Sequence, residues 1–208
     1  MKKQLLTIAV LSSLLFAACG ENNKKTENNA QTTEEAGKSG SASDKGESEQ
    51  GGNFLTNRDA LKKAEAELKD MPKFKGKDVK VFQNIHFYED GRVQLALQDP
   101  DKPENIDDYL FQGGKWQEPQ AVQISGDGDM SANVFSLSTL KFETVADIYK
   151  QVEEQSKEVE GAKIDGHIYY NLNVMHQSGQ WITGVQGSRG QYSGYFNADG
   201  SLKEFKKN

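Results

Sequence analysis

Apolar positions divide the chain into three stretches of different character. Residues 5–16, LLTIAVLSSLLF, are almost continuously apolar, whereas residues 20–52 hold no aromatic residue and no Leu, Ile, Val or Met. From Phe54 onward the apolar residues return with two distinct periods. Ala60, Ala64, Leu68 and Met71 recur at helical spacing, and so do Val145, Ile148, Val152 and Val159. Val93, Leu95 and Leu97 alternate with Gln94, Ala96 and Gln98, as Tyr170, Leu172 and Val174 do with Asn171 and Asn173, which is the period of a strand buried on one face.

The pattern occurs twice. A shift of 88 positions carries Phe54 onto Phe142, Thr56 onto Thr144, Asp59 onto Asp147, Ala64 onto Val152 and Met71 onto Val159. Thr followed three residues later by Asp predicts a capping-box variant at each helix start, and Pro72 and Gly161 close the two helices. Glycine-bearing turns such as EDGR and NADG then separate alternating segments, which read as hairpins. The expected fold class is α+β: two tandem units, each one helix followed by a four-stranded antiparallel meander. They span residues 54–125 and 142–208, with 126–141 as the connecting segment. In each unit one sheet face is expected to pack on its own helix, while the other meets solvent or the sister unit. Units this small are marginal alone, so a shared interface is expected. This organisation is similar to the tandem helix-plus-four-strand arrangement of β-lactamase inhibitor protein and to bacterial PepSY-type domains. The resemblance implies architecture only, because no motif here matches the binding residues of either family.

The N-terminal stretch is an address rather than a folded element. MKK supplies positive charge and the apolar run is too short to span a bilayer, as in a secretion signal. Its end, Phe16-Ala17-Ala18-Cys19, resembles the lipobox of bacterial lipoproteins, with Phe16 in place of the usual leucine. The resemblance implies a signal peptide at 1–18, cleavage before Cys19, and lipidation of that thiol. Cys19 is the only cysteine in the chain, so no disulfide framework competes for it. Acyl chains add about 0.8 kcal/mol per buried methylene, enough to hold a protein on a membrane without a transmembrane helix. Residues 19–53 then form the lipidated cysteine and a tether whose composition cannot offset the entropy of ordering it. As a random coil it spans roughly 30 Å. Gly20 is not the aspartate that retains lipoproteins in an inner membrane. The family rule therefore points to the cell envelope, and to the outer membrane where the cell has two.

Charge narrows the partners. Lys2 and Lys3 leave with the signal, so the formal charge of −6 becomes −8. An acidic chain without basic clusters argues against nucleic acid and against polybasic attraction to headgroups.

Motifs for chemistry are sparse. Ser193 in GQYSG lacks the nucleophile-elbow pattern and falls in a predicted strand. His86, His167 and His176 form no ligand-spaced pair, and His167 and His176 are expected on opposite sides of a sheet. Asp127, Asp129, Ser131 and Asn133 open like a calcium loop, but Ala132 and Ser138 occupy the positions that need Gly and Glu, so a solvated hinge is expected. Gly184, Gly187, Gly190 and Gly194 alternate with Gln186, Arg189, Tyr192 and Tyr195, a pattern suited either to close ligand approach or to bends. Trp116 and Trp181 are expected in the core. Adjacent acids such as Asp107 and Asp108, or Glu153 and Glu154, point apart and make no catalytic pair. No catalytic residue, metal ligand or cofactor is therefore expected. The reading is a lipid-anchored envelope protein acting as a non-enzymatic binding module for another protein or a cell-wall polymer. The alternatives are an inhibitor or immunity lipoprotein that blocks a toxin or envelope enzyme through a loop such as DPDKPEN, and a hydrolase.

Overall fold

The structure is a computed structural model and describes residues 52–126 and 129–208. The signal, Cys19, the tether up to residue 51 and Asp127 lie outside the described residues.

Phe54–Thr56 form a 3-10 turn that leads into helix α1, Arg58–Asp70. Strands β1 (Lys80–Tyr88), β2 (Val93–Gln98), β3 (Ile106–Gln112), β4 (Lys115–Trp116), β5 (Gln120–Val122) and β6 (Val134–Ser136) follow. Helix α2, Thr144–Ser156, precedes β7 (Lys163–Asn173), β8 (Ser178–Gly187), β9 (Gly190–Phe196) and β10 (Leu202–Lys207).

These strands do not make two meanders. They make one antiparallel sheet of ten strands in the order β10-β9-β8-β7-β1-β2-β3-β4, with β5 on β3 and β6 on β1. The expectation of two tandem helix-plus-four-strand units is corrected at β1 and β7. Those strands pair directly, from Asn84 against Asn171 to Tyr88 against His167. An unpaired strand edge exposes a row of backbone donors and acceptors, and here each edge satisfies the other. The described residues accordingly fall within a single compact unit. The segment expected as a plain connector contributes β6, whose Val134–Ser136 pair with Lys80–Phe82.

The core is also single. One cluster joins Leu61, Ala64 and Leu68 of α1 and Val145, Ile148 and Val152 of α2 to Ile85, Phe87, Leu95, Ile168 and Trp181 of the sheet. Both helices therefore cover the same sheet face. Leu61, fully buried, belongs to the α1 stripe, while Ala60 and Met71 lie at its margin. Trp181 is fully buried and donates its indole N–H to the Ala198 carbonyl at 3.1 Å. Trp116 lies at the edge of the core and donates to the Ala64 carbonyl at 3.0 Å. Pro119, which has no N–H to pair, falls between β4 and β5.

The helix starts differ from the predicted capping boxes. Asn57 caps α1, its side chain accepting from the Ala60 N–H at 3.0 Å, while the Thr56 hydroxyl donates back to the Asn53 carbonyl. At α2 no side chain caps locally. Instead Glu65 Oε2, on α1, accepts from the Phe142 N–H at 2.7 Å, so one helix serves the entrance of the other. Arg58 pairs with Glu143 and Asp147, and Lys62 with Glu143, across the same junction.

Candidate binding face

With both helices on one side, the opposite face of the sheet holds the outward members of the strand alternation. In β1 those are Asn84, His86 and Tyr88, and in β7 they are Asp165, His167, Tyr169 and Asn171, against buried Ile85, Phe87, Ile168 and Tyr170. Two irregularities set what this face displays. Between Phe82 and Ile85 strand β1 carries two more residues than its partner β2, with Gln83 at φ 60°. An even insertion preserves the alternation, so His86 and Tyr88 keep to the open face. In β7 the three residues between Ile164 and Ile168 oppose Gly184 alone in β8. The Asp165 carboxylate folds onto the site a Gly184 side chain would fill. That glycine therefore admits a side chain of this same chain, and Gly187 likewise admits the Val159 side chain where its own would stand. The glycine pattern of β8 marks internal packing rather than ligand approach.

Across the sheet Gln94, His86, Tyr169, Ile182 and Tyr195 are successive partners, with Arg92, Tyr88 and His167 in the adjoining row. Four rings thus meet at the centre. Tyr88 and His167 lie 4.6 Å apart between ring centres at 11°, and His86 and Tyr169 lie 5.4 Å apart at 16°. The diagonal His86–His167 pair is at 5.2 Å and 9°. All four side chains are half-buried.

The histidine pair is the most ordered part of the array. His86 Nδ1 and His167 Nε2 are 3.0 Å apart, and His86 Nε2 is 3.0 Å from Asn84 Oδ1. An amide oxygen only accepts, so His86 carries its proton on Nε2 and its Nδ1 lone pair accepts from the His167 Nε2–H. Burial lowers the pKa of both. His167 falls to about 4, chiefly by desolvation and then by the neighbouring His86, with Asp165 opposing and Arg92 assisting. His86 is also lowered by desolvation, against the pull of Asp108. Both rings are neutral at pH 7.

Charges stand around this neutral centre. The Arg92 guanidinium lies 4.3 Å from the Tyr88 ring centre, and Lys206 Nζ lies 5.0 Å from that of Tyr195. Gln94 donates to Asp108 at 3.0 Å. The middle of the face is thus aromatic and uncharged, inside a rim of mixed sign.

The other residues singled out in the sequence sit apart from this array. His176 is in the turn after β7, away from the paired histidines. Asp129 caps a 3-10 turn over Met130–Asn133, accepting from the Ser131 N–H at 2.8 Å and from its hydroxyl at 2.7 Å, which suits a local turn. Ser193 donates to Asn208 at 3.0 Å. Asp107 and Asp108 point apart as expected, the first to Lys73 at 2.8 Å and the second to Gln94. Linear spacing could not show the meeting of His86 with His167, 81 positions away. The alternation did hold one signal, since His86 and Tyr88, and His167 and Tyr169, occupy the polar phase of their strands, where rings are out of place unless used.

Protein-family models, curated proteins and solved structures contain no match to this chain.

Proposed function

We infer that this chain is a lipid-anchored protein of the bacterial envelope, held through Cys19, whose folded domain is a non-enzymatic binding module for another protein. The observation that carries the reading is the array of Tyr88, His86, His167 and Tyr169 on a sheet face that neither helix covers. Tyrosine and histidine rings fixed by mutual stacking present contact area at little entropic cost, and the charged rim supplies orientation.

A photo-crosslinking residue at Ile182, on the open face, is expected to trap a discrete partner in living cells, whereas one at Lys157, beyond the end of α2, is not. Replacing Tyr88 and Tyr169 by Ala should reduce the adduct about tenfold or more, the effect of losing a hot spot worth over 1.4 kcal/mol. Equal adducts from both positions, or adducts indifferent to the tyrosines, would refute the assignment. Adducts found only with isolated cell-wall sacculi would transfer the reading to a wall polymer.

A second reading rests on the loop between β2 and β3. Asp99 accepts from the N–H groups of Asp101 and Lys102 at 2.8 and 3.1 Å, and Lys73 and Lys77 clamp Asp99 and Asp101. A loop fixed in advance suits an inhibitor that enters a cleft. Deleting residues 99–105 should then abolish inhibition while leaving the open-face adduct intact.

A further inference from the structure

We propose that His86 and His167 form a binding site for an imidazole-seeking divalent transition metal, with His86 Nδ1 and His167 Nε2 as its protein ligands. The site is independent of any partner on the same face and stands or falls separately.

The two nitrogens are 3.0 Å apart. With metal–nitrogen bonds of about 2.0 Å, that separation closes an angle of roughly 100° at the ion, between the square-planar and tetrahedral values. The His86 Nδ1 lone pair and the His167 Nε2–H now point at each other along the hydrogen bond, so the rings must swing about χ2 to face the ion. Histidine χ2 is a broad torsion, and that adjustment is mild. The strand pairing of β1 with β7 holds both backbones in place throughout.

Three further features suit the assignment. The His86 Nε2–H donates to Asn84 Oδ1 at 3.0 Å, which fixes the tautomer with an unprotonated Nδ1 that a metal can take over from the His167 N–H. Such an orienting acceptor is the usual companion of a metal-ligating imidazole. Neither ring carries a proton that a metal must expel: His167 needs only to exchange its single proton from Nε2 to Nδ1 through water, with no net release. The charged neighbours are Asp108 and Asp165, which favour a cation, and Arg92, which opposes it from beyond Tyr88. Among the described residues no group of three or more His, Cys, Asp or Glu gathers around a metal position. Water must therefore fill the remaining positions, which makes the site open and exchangeable rather than structural. Neutral imidazole ligands select copper(II) over zinc(II) and reject magnesium(II).

The test uses the full chain with Cys19→Ser in every sample, so that no thiol competes. Calorimetric titration with copper(II), zinc(II) and magnesium(II) chlorides should give one site, tightest for copper and undetectable for magnesium. His86→Gln and His167→Gln should each weaken binding at least about tenfold, Asn84→Ala should weaken it less, and His176→Gln should leave it unchanged. Imidazole 15N spectra of the otherwise unaltered chain provide a reading that needs no altered fold. On adding zinc, His86 Nδ1 and His167 Nε2 should shift and the His176 nitrogens should not. Binding that survives the double His86→Gln, His167→Gln change is an adventitious ion only and overturns the proposal, as does a spectrum in which His176 alone responds.

Discussion

Acid should destabilise this fold through His167 in particular. In the folded chain burial and the adjacent His86 lower its pKa from 6.5 to about 4. A histidine whose folded pKa is depressed binds fewer protons folded than unfolded. It therefore contributes fully above pH 6.5, and the contribution is lost as pH falls from about 6.5 toward 4. At pH 4.5 the two pKa values correspond to about 2.5 kcal/mol, and partial exposure of the ring discounts this to about 1–2 kcal/mol. Carboxylates also titrate in this window, so the useful quantity is a difference between variants. Urea unfolding of the wild-type chain and of His167→Gln, at pH 7 and pH 4.5, should show the wild type losing about 1–2 kcal/mol more than the variant. The cause also predicts an order: His167→Gln should cost stability at pH 7, where its hydrogen bond to His86 is lost, and gain relative to wild type in acid. Equal losses in both proteins would show that the ring titrates as if in water and would refute the buried, neutral pair.

Three other outcomes follow from separate contacts. Glu65→Ala removes the acceptor of the Phe142 N–H at the mouth of α2 and should cost about 1–3 kcal/mol in urea unfolding, whereas Arg58→Ala, exposed and ion-paired in the same junction, should cost much less. Trp181→Ala opens a cavity in the one shared core and should cost about 3–5 kcal/mol, with residues on both sides of the β1–β7 seam losing hydrogen-exchange protection together. Metabolic labelling with a fatty-acid analogue should tag the wild-type chain and not Cys19→Ser; an unlabelled wild-type chain would remove the proposed lipid anchor.

Local periodicity determined much of this protein without help from the fold. The spacing of Ala64 and Leu68, and of Val145, Ile148 and Val152, specifies two amphipathic helices because a helix repeats every 3.6 residues whatever surrounds it, although it put Ala60 and Met71 in the first stripe where the fold buries Leu61. The alternation in VQLALQ and HIYYNLN fixes which residues turn inward, since a strand inverts its side chains at every step. What the alternation omits is the partner of each edge. Backbone hydrogen bonds carry almost no side-chain signature, so nothing in KVFQNIHFY names KIDGHIYYNLN as its neighbour, and similar halves read as two units when they are joined in one sheet. The same pairing decided the candidate site. His86 and His167 each look like a stray ring on a polar face, and only the antiparallel register of β1 with β7, adjusted by two bulges, brings their nitrogens to 3.0 Å. Helix caps divided the same way: Asn57 acts within its own turn and its role is local, while Glu65 reaches the Phe142 N–H across 77 positions, a contact created by docking alone.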